Sequence, residues 1–423
     1  MSPAARPKGA ARQAFAIRDF RTIWIGNTAS NVGTWMQNVL LGAYAREHFG
    51  TANAVGLVLF AQLGPVLVLA IPGGLIADRV RRRPFIALMQ LEQLIFSVVL
   101  GFVVRGNPSQ MAVALTVLAV GVGSALSGPS WQSVIPALVG REHLPAALSL
   151  NSVSLNGSRV VGPILTVLLT SFGITTSGIF FINAGTYLFV IVALFTVTMP
   201  STVRRSGDVG WRSLAGGMRY ARDNRIVGAI LLGMCTFSLF CLPYVGQFSS
   251  IAHQKFNIDT RRATYQWLYA TWGLGACLGG LSLGTVFISV SKRHMISGGL
   301  FTFMASLFTY ALVDNLTLAF PIVFVVGFAY FTIATSLMTV LQTNISDEVR
   351  GRVLALWMMA FGGTVPIGIW LAGPIIQHHG SRPLMLFGAA WAGVLILVVK
   401  AHLRRAAMPT TTEFDDALPT VSI

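Results

Sequence analysis

Twelve apolar runs, each close to or beyond the length needed to cross a bilayer, recur along this chain with short basic gaps between them. They fall at 20–45, 53–77, 84–104, 110–133, 147–171, 176–199, 225–248, 264–288, 294–313, 316–340, 352–377 and 382–403. A helix needs about 20 such residues to traverse a hydrocarbon core of about 30 Å. A spanning β-barrel would show short alternating segments instead. The expected fold class is therefore an all-α membrane protein. Composition agrees: 54% of residues are hydrophobic and only 10% charged, against about 25% charged in a soluble domain.

The formal charge of +16 invites a nucleic-acid reading, which fails on location. The basic residues sit in the gaps and form no single face. Twelve spans put both termini on one side. Placing the N-terminus in the cytoplasm leaves 23 of the 30 lysines and arginines there and 6 outside, with Arg159 inside a span. That asymmetry is a positive-inside signal, and the anionic cytoplasmic leaflet is its expected partner. The localisation that follows is a bacterial inner membrane, multi-pass, with both termini cytoplasmic.

The chain divides into a cytoplasmic tail (1–19), a six-helix bundle (20–199), a linker (200–224), a second six-helix bundle (225–403) and a disordered tail (404–423). In the linker, Trp211, Leu214, Met218 and Ala221 recur at helical spacing opposite Arg212, Arg219 and Arg222, which predicts an interfacial amphipathic helix. The bundles echo each other. At an offset of about 210 residues, Gly74 meets Gly284, Arg82-Arg83 meets Lys292-Arg293, and Gln132 meets Gln342. Gly162-Pro163 meets Gly373-Pro374 one residue later. A duplicated six-helix unit is how many secondary transporters are built.

Between the second and third runs stands GGLIADRVRRRP, Gly73 to Pro84. It resembles the loop motif of the major facilitator superfamily, G-x-L-x-D-R-x-G-R-R. Gly74, Asp78, Arg79, Arg82 and Arg83 match, and Arg81 replaces the second glycine. RDFRTIWIGNTASNVGTWMQ (18–37), the stretch 128–163 and DEVRGRVLAL (347–356) are similar to the enterobactin-exporter-like branch, which also contains macrolide and multidrug efflux pumps. The resemblance implies two pseudo-symmetric bundles and a conformational latch at Gly74, Asp78, Arg79, Arg82 and Arg83. Asp78 would meet the start of helix 11, where a carboxylate gains from the helix dipole. Arg81 and Arg82 need only the bilayer to explain them.

Charges inside spans are costly and mark function or a specific partner. Arg159 shares a face with Ser152 and Asn156, so it suits either a substrate contact or a structural cap near Gly162-Pro163. Glu92, between Gln90 and Gln93, is the candidate proton carrier; its alternatives are pairing with a neighbour such as Arg159 or a neutral position beside lipid. The resemblance implies that helix 3 is peripheral, which counts against coupling there.

Polar or aromatic stripes at three-to-four-residue spacing run along four helices. Helix 1 carries Asn27, Asn31, Thr34 and Asn38 with Trp35 alongside; helix 4 carries Ser124, Ser127 and Trp131. Helix 7 carries Phe237, Phe240, Tyr244 and Gln247; helix 10 carries Thr332, Thr335, Thr339 and Gln342. The resemblance implies that these four helices line a central cavity, and Asn156 joins the candidate lining. Ordinary interhelical hydrogen bonding is the alternative for each residue.

No P-loop, catalytic constellation or metal-ligand set is evident, so neither enzyme activity nor a cofactor is expected. Cys235, Cys241 and Cys277 lie in apolar runs and read as buried hydrophobes. The expected function is a monomeric secondary transporter exporting a small amphiphile, drug- or siderophore-like, by alternating access with proton antiport. An importer or lipid-handling facilitator on the same fold is the alternative. A non-transporting sensor or scaffold is another class, against which the polar stripes argue.

Overall fold

The computed structural model describes residues 10–140, 142–199, 211–283, 285–287, 290–346 and 349–403. Helix starts are written in the sequence. Thr51, Ser109, Thr175, Asn224, Ser291 and Asn315 each place a side-chain oxygen on the free amides of the turn that follows. Gly50 closes the first long helix in the left-handed region at φ 71°, where a side chain is disfavoured.

Twelve membrane-length rods result. In the N-terminal half they are α1 (Arg18–Phe49), α2 (Ala52–Leu63 continuing as Pro65–Arg79), α3 (Arg82–Val103), α4 (Gln110–Gln132), α5 (Leu144–Ser171) and α6 (Thr176–Thr196). The C-terminal half has α7 (Arg225–Phe240, then Pro243–Gly246 and Phe248–Phe256), α8 (Ala263–Ser282), α9 (Lys292–Leu312) and α10 (Leu316–Thr343). It ends with α11 (Arg350–Met358, a π turn Met359–Gly363, then Thr364–His379) and α12 (Ser381–Leu403). Ten spans among the described residues meet the length and hydropathy needed for a bilayer. The other two, α1 and α8, have the length but more polar residues. Short helices at Ala10–Ala16 and Val134–Leu138, and the break in α7 after Phe240, were not expected from the sequence.

Glycines set how closely the rods pack. Gly275 and Gly279 of α8 lie against the α10 backbone at Phe324 and Phe328, and Gly327 of α10 lies against Trp272. These positions have no room for a Cβ, as small-residue seams between membrane helices require.

The halves meet through two pairs, α2 with α11 and α5 with α8. Gly56 lies against Ile369 and Trp370, Gly373 against Asn53, Gly363 against Leu67, and Gly273 against the Arg159 carbonyl. All the hydrogen bonds described between halves lie beyond this level, toward the end remote from the arginine-rich gaps. There Glu47 Oε1 accepts from Thr260 N–H and Oγ1, both at 2.8 Å. Ser249 donates to the Gly42 carbonyl at 3.0 Å, and Gln247 Nε2 to the Ala52 carbonyl at 3.1 Å. Gln377 Oε1 accepts from Ala52 N–H, and Thr170 donates to Gln266 Oε1, each at 3.2 Å. Toward the basic end, Gly74 and Gly157 face open space and Leu148, Val153 and Leu155 are exposed. Among the described residues, the hydrogen bonds between the bundles are confined to one end, and Gly74 and Gly157 face open space toward the other.

The linker helix (Trp211–Asp223) is present. Its small face at Gly216 and Gly217 docks on Arg352 and Leu356 of α11, while Met218 is exposed. The expected lipid-facing stripe is thus partly a protein contact; the side chains of Trp211 and Leu214 lie outside the described residues.

Candidate functional site: a polar cleft in the N-terminal half

Apolar spans that nevertheless carry amides must satisfy them inside the protein. In the N-terminal half these amides converge. Asn27, Asn31, Thr34, Gln37 and Asn38 of α1, Gln62 of α2, Gln90 and Gln93 of α3, Ser124, Ser127 and Trp131 of α4, Asn151 of α5 and Tyr187 of α6 line a cleft of about 530 Å³. Gln62 Nε2 donates to Asn38 Oδ1 at 2.8 Å, and Asn183 Nδ2 to Gln37 Oε1 at 2.7 Å. Tyr187 meets the side chains of Thr34, Asn183 and Ser97. Three polar atoms in the wall have no hydrogen-bond partner: Asn31 Nδ2, Gln62 Oε1 and Gln90 Oε1.

Of the residues expected to line a cavity, Asn27, Asn31, Thr34, Asn38, Ser127 and Trp131 come together here. Ser127 also donates to the Gly123 carbonyl at 2.8 Å. Trp35 and Asn156 lie elsewhere. Trp35 packs on Gly162, and Asn156 Oδ1 accepts from Arg159 at 2.9 Å.

The stripes of α7 and α10 do not reach the cleft. Tyr244 is buried, accepting from Trp272 Nε1 at 3.1 Å. Phe240 packs edge-on to Phe387 and Trp391 of α12. Thr332 is buried and donates to the Gly279 carbonyl, and Thr339 donates to the Thr335 carbonyl beneath it. Tyr244 and Thr332 are covered by neighbouring helices, whereas Thr335 and Thr339 are half-buried and Gln342 is exposed.

Arg159 does not pair with Glu92. Its guanidinium lies 4.1 Å from the Phe331 ring of α10 and 5.3 Å from the Trp35 ring of α1, so it bridges the halves by cation–π contact. Its Nε has no hydrogen-bond partner. It caps no carbonyl at Gly162-Pro163; its hydrogen bond goes to Asn156.

Glu92 sits behind the cleft wall, against Gly123 of α4, with Oε2 unpartnered. It interacts electrostatically with Tyr187, which faces the cleft. Helix α3 is less peripheral than expected, because Gln90 and Gln93, on either side of Glu92, enter the wall. The amides at 62, 90 and 93 went unassigned in the sequence, although glutamines inside apolar spans are the signal that marks them.

In the loop motif, Arg83 is not held for a latch in this conformation. Its Nε donates to the Leu194 carbonyl at 2.5 Å and its Nη2 to those of Phe195 and Val197 at 2.8 and 2.7 Å. It caps the C-terminus of α6, whose last carbonyls lack helical partners. Gly74 faces open space and Arg82 opens α3. The side chains of Asp78 and Arg79 lie outside the described residues.

A family model described as "Transmembrane secretion effector" matches residues 10–420. The chain belongs to that family of major facilitator transporters. Like the family, it is a membrane-spanning transporter and not an enzyme. It is 25% identical over 406 residues to the enterobactin exporter EntS of Escherichia coli O1:K1, covering 91% of this chain and 92% of the exporter. The EntS of Shigella boydii serotype 18 is likewise 25% identical, with the same coverage. Among solved structures, a bacterial homolog of the human lysosomal transporter Spinster, inward-facing and unoccupied, superposes with a TM-score of 0.70 at 14% identity, over 93% of this chain and 99% of that one. The nucleoside transporter NupG superposes at 0.71 and 12% identity, over 92% and 100%. These superpositions show the shared fold of this secretion-effector family member.

Proposed function

We propose that this transporter exports a small amphiphilic organic molecule from the bacterial cytoplasm by alternating access coupled to proton entry. The supporting observation is the asymmetry between its ends: among the described residues the halves share hydrogen bonds at one end only, and at the other Gly74 and Gly157 face open space. With the basic end in the cytoplasm, this is an inward-open state, ready to load cargo at the polar cleft. Asp78 then acts when the halves rock together at that end, as the latch the loop motif implies. Arg159, bridging two aromatic rings between the halves, gives an aromatic or weakly anionic part of the cargo a contact on the way through.

Glu92 is the proton carrier in this reading. An unpartnered carboxylate beside Tyr187 senses the cleft without occupying it. Proteoliposomes given enterobactin, the cargo named for the exporters this chain resembles, test both parts. Expected is accumulation against the cargo gradient only while protons flow the opposite way. In Glu92→Gln that accumulation falls at least tenfold while downhill exchange persists. Flux indifferent to the pH gradient sinks antiport; no flux of any amphiphile sinks export.

A further inference from the structure

The transport reading leaves open where the cargo is recognised and by which of its groups. We infer that recognition is confined to the N-terminal half, where the amide cleft takes an uncharged, hydrogen-bonding portion of the cargo: an amide- or hydroxyl-bearing group. The inference rests on the proposed transport function and specifies its site.

The wall chemistry argues for this class. Every described residue lining the cleft comes from α1 to α6 or the short helix Val134–Leu138, and none of them is charged. Gln62 and Gln90, 8% and 5% exposed, each leave an amide oxygen unpartnered, and Asn31 leaves an amide N–H. The wall presents amide N–H donors and amide carbonyl acceptors together, which a ligand group that both donates and accepts matches, as an amide or a vicinal diol does. A carboxylate there would find no cation among the described lining residues to hold it. A cation would find no carboxylate, because Glu92 lies behind Gly123 and outside the lining. The basic residue deep in the bundle, Arg159, stands apart between Trp35 and Phe331. The volume of about 530 Å³ lies within the range of small-molecule sites.

The described residues of the other half offer no matching amide wall. The positions of α7 to α10 related to the cleft by the repeat are occupied by an aromatic stack. Phe237 packs on Phe303 and Tyr330, Trp272 on Tyr269 and Tyr330, and Tyr244 on Phe303. One half binds, and the other is a solid lever that closes over it.

The test is equilibrium binding of radiolabelled chloramphenicol, an uncharged probe with one amide and two hydroxyls, to the full-length protein in nanodiscs. Expected is saturable binding that weakens at least tenfold in Gln90→Leu and in Asn31→Leu and is unchanged in Thr309→Val on the lipid-exposed face of α9. Tetraphenylphosphonium and 2,3-dihydroxybenzoate, a cation and an anion, should not displace it. Each variant is first matched to the parent by thermal melting, and Gln90→Asn, which keeps the amide, should bind within threefold of the parent. Absence of saturable binding overturns the inference, as do unchanged affinity in both leucine variants and displacement by either ion. Binding with no flux in any vesicle assay keeps the site and overturns the transport reading; flux of enterobactin without chloramphenicol binding does the reverse.

Discussion

Single residues here are defined by the partner they find, and Asp314 shows how far that can be followed. It lies in the turn between α9 and α10, outside the membrane, and accepts from Arg382 at 2.5 Å and Lys255 at 3.1 Å. Lys255 also donates to the Ala311 carbonyl at 2.8 Å, so three segments are tied at one point. The hydrogen bonds from Arg382 and Lys255 hold the Asp314 carboxyl below the ordinary aspartate range. A depressed folded-state pKa means that the tie stabilises fully above the unfolded value, about 3.9, and is lost as pH falls through the folded value. Asp314→Asn should therefore lower the melting temperature at pH 7, and that difference should shrink below about pH 4. A difference that persists unchanged at low pH would refute the tie. Because the site is exposed, the effect is small. Arg83 teaches the complementary lesson. Its place in a conserved-looking motif suggested a moving part, whereas three carbonyls at the end of α6 hold it in place.

Helices in this protein are shaped by what they must approach. The α5–α8 contact passes through Gly273, where a Cβ would stand 2.5 Å from the Arg159 carbonyl oxygen. That oxygen is backbone and cannot rotate away, so Gly273→Ala must push α5 and α8 apart at the level where the halves close. Within α8 itself the alanine is favourable by about 1 kcal/mol. The variant should therefore fold normally yet disfavour the closed outer end. Distances between spin labels on α5 and α8 at that end should lengthen; an unchanged distribution counts against this seam as a closing surface. On the α2–α11 side the corresponding level holds the π turn Met359–Gly363, with Gly363 against Leu67. A π turn loosens the helical ladder locally, which suits a rod whose two ends have different tasks.

At the scale of the whole molecule, the alternating access proposed above makes the end remote from the arginine-rich gaps the outer end. The described polar contacts that hold it include Glu47 with Thr260. Thr260 Oγ1 also reaches the Ala43 carbonyl at 3.3 Å. Thr260→Val keeps the volume and the backbone N–H bond but removes both hydroxyl contacts. The hydroxyl has one proton to share between those two acceptors, so about one hydrogen bond worth about 1 kcal/mol is lost and the closed population should fall several-fold relative to the open one. Single-molecule distance measurements across the outer end check this. A closed fraction equal to the parent's would show that apolar packing, not the clasp, holds that end.

Much of this protein was legible in its sequence, for identifiable reasons. A bilayer imposes a length and a polarity on every span, so the runs announced the helices. The bundle repeat is legible in Gly74 and Gly284, Arg82-Arg83 and Lys292-Arg293, Gln132 and Gln342, and the two Gly-Pro pairs, at offsets of 210 and 211 residues. The polar face of α1 was legible because helical periodicity places residues on a face. What covers a face is a different matter, since that depends on residues distant in the chain. Thus Tyr244 and Thr332 looked like cavity wall and are core, while Gln62, Gln90 and Gln93 looked incidental and form the wall. Sequence alone determined that this chain crosses a membrane twelve times in two related halves, because local polarity suffices for that. Only the tertiary structure decided which half keeps an open polar cleft, which end is closed, and that Arg159 faces aromatic rings instead of an acid, because packing between distant helices selects among faces that periodicity leaves equivalent.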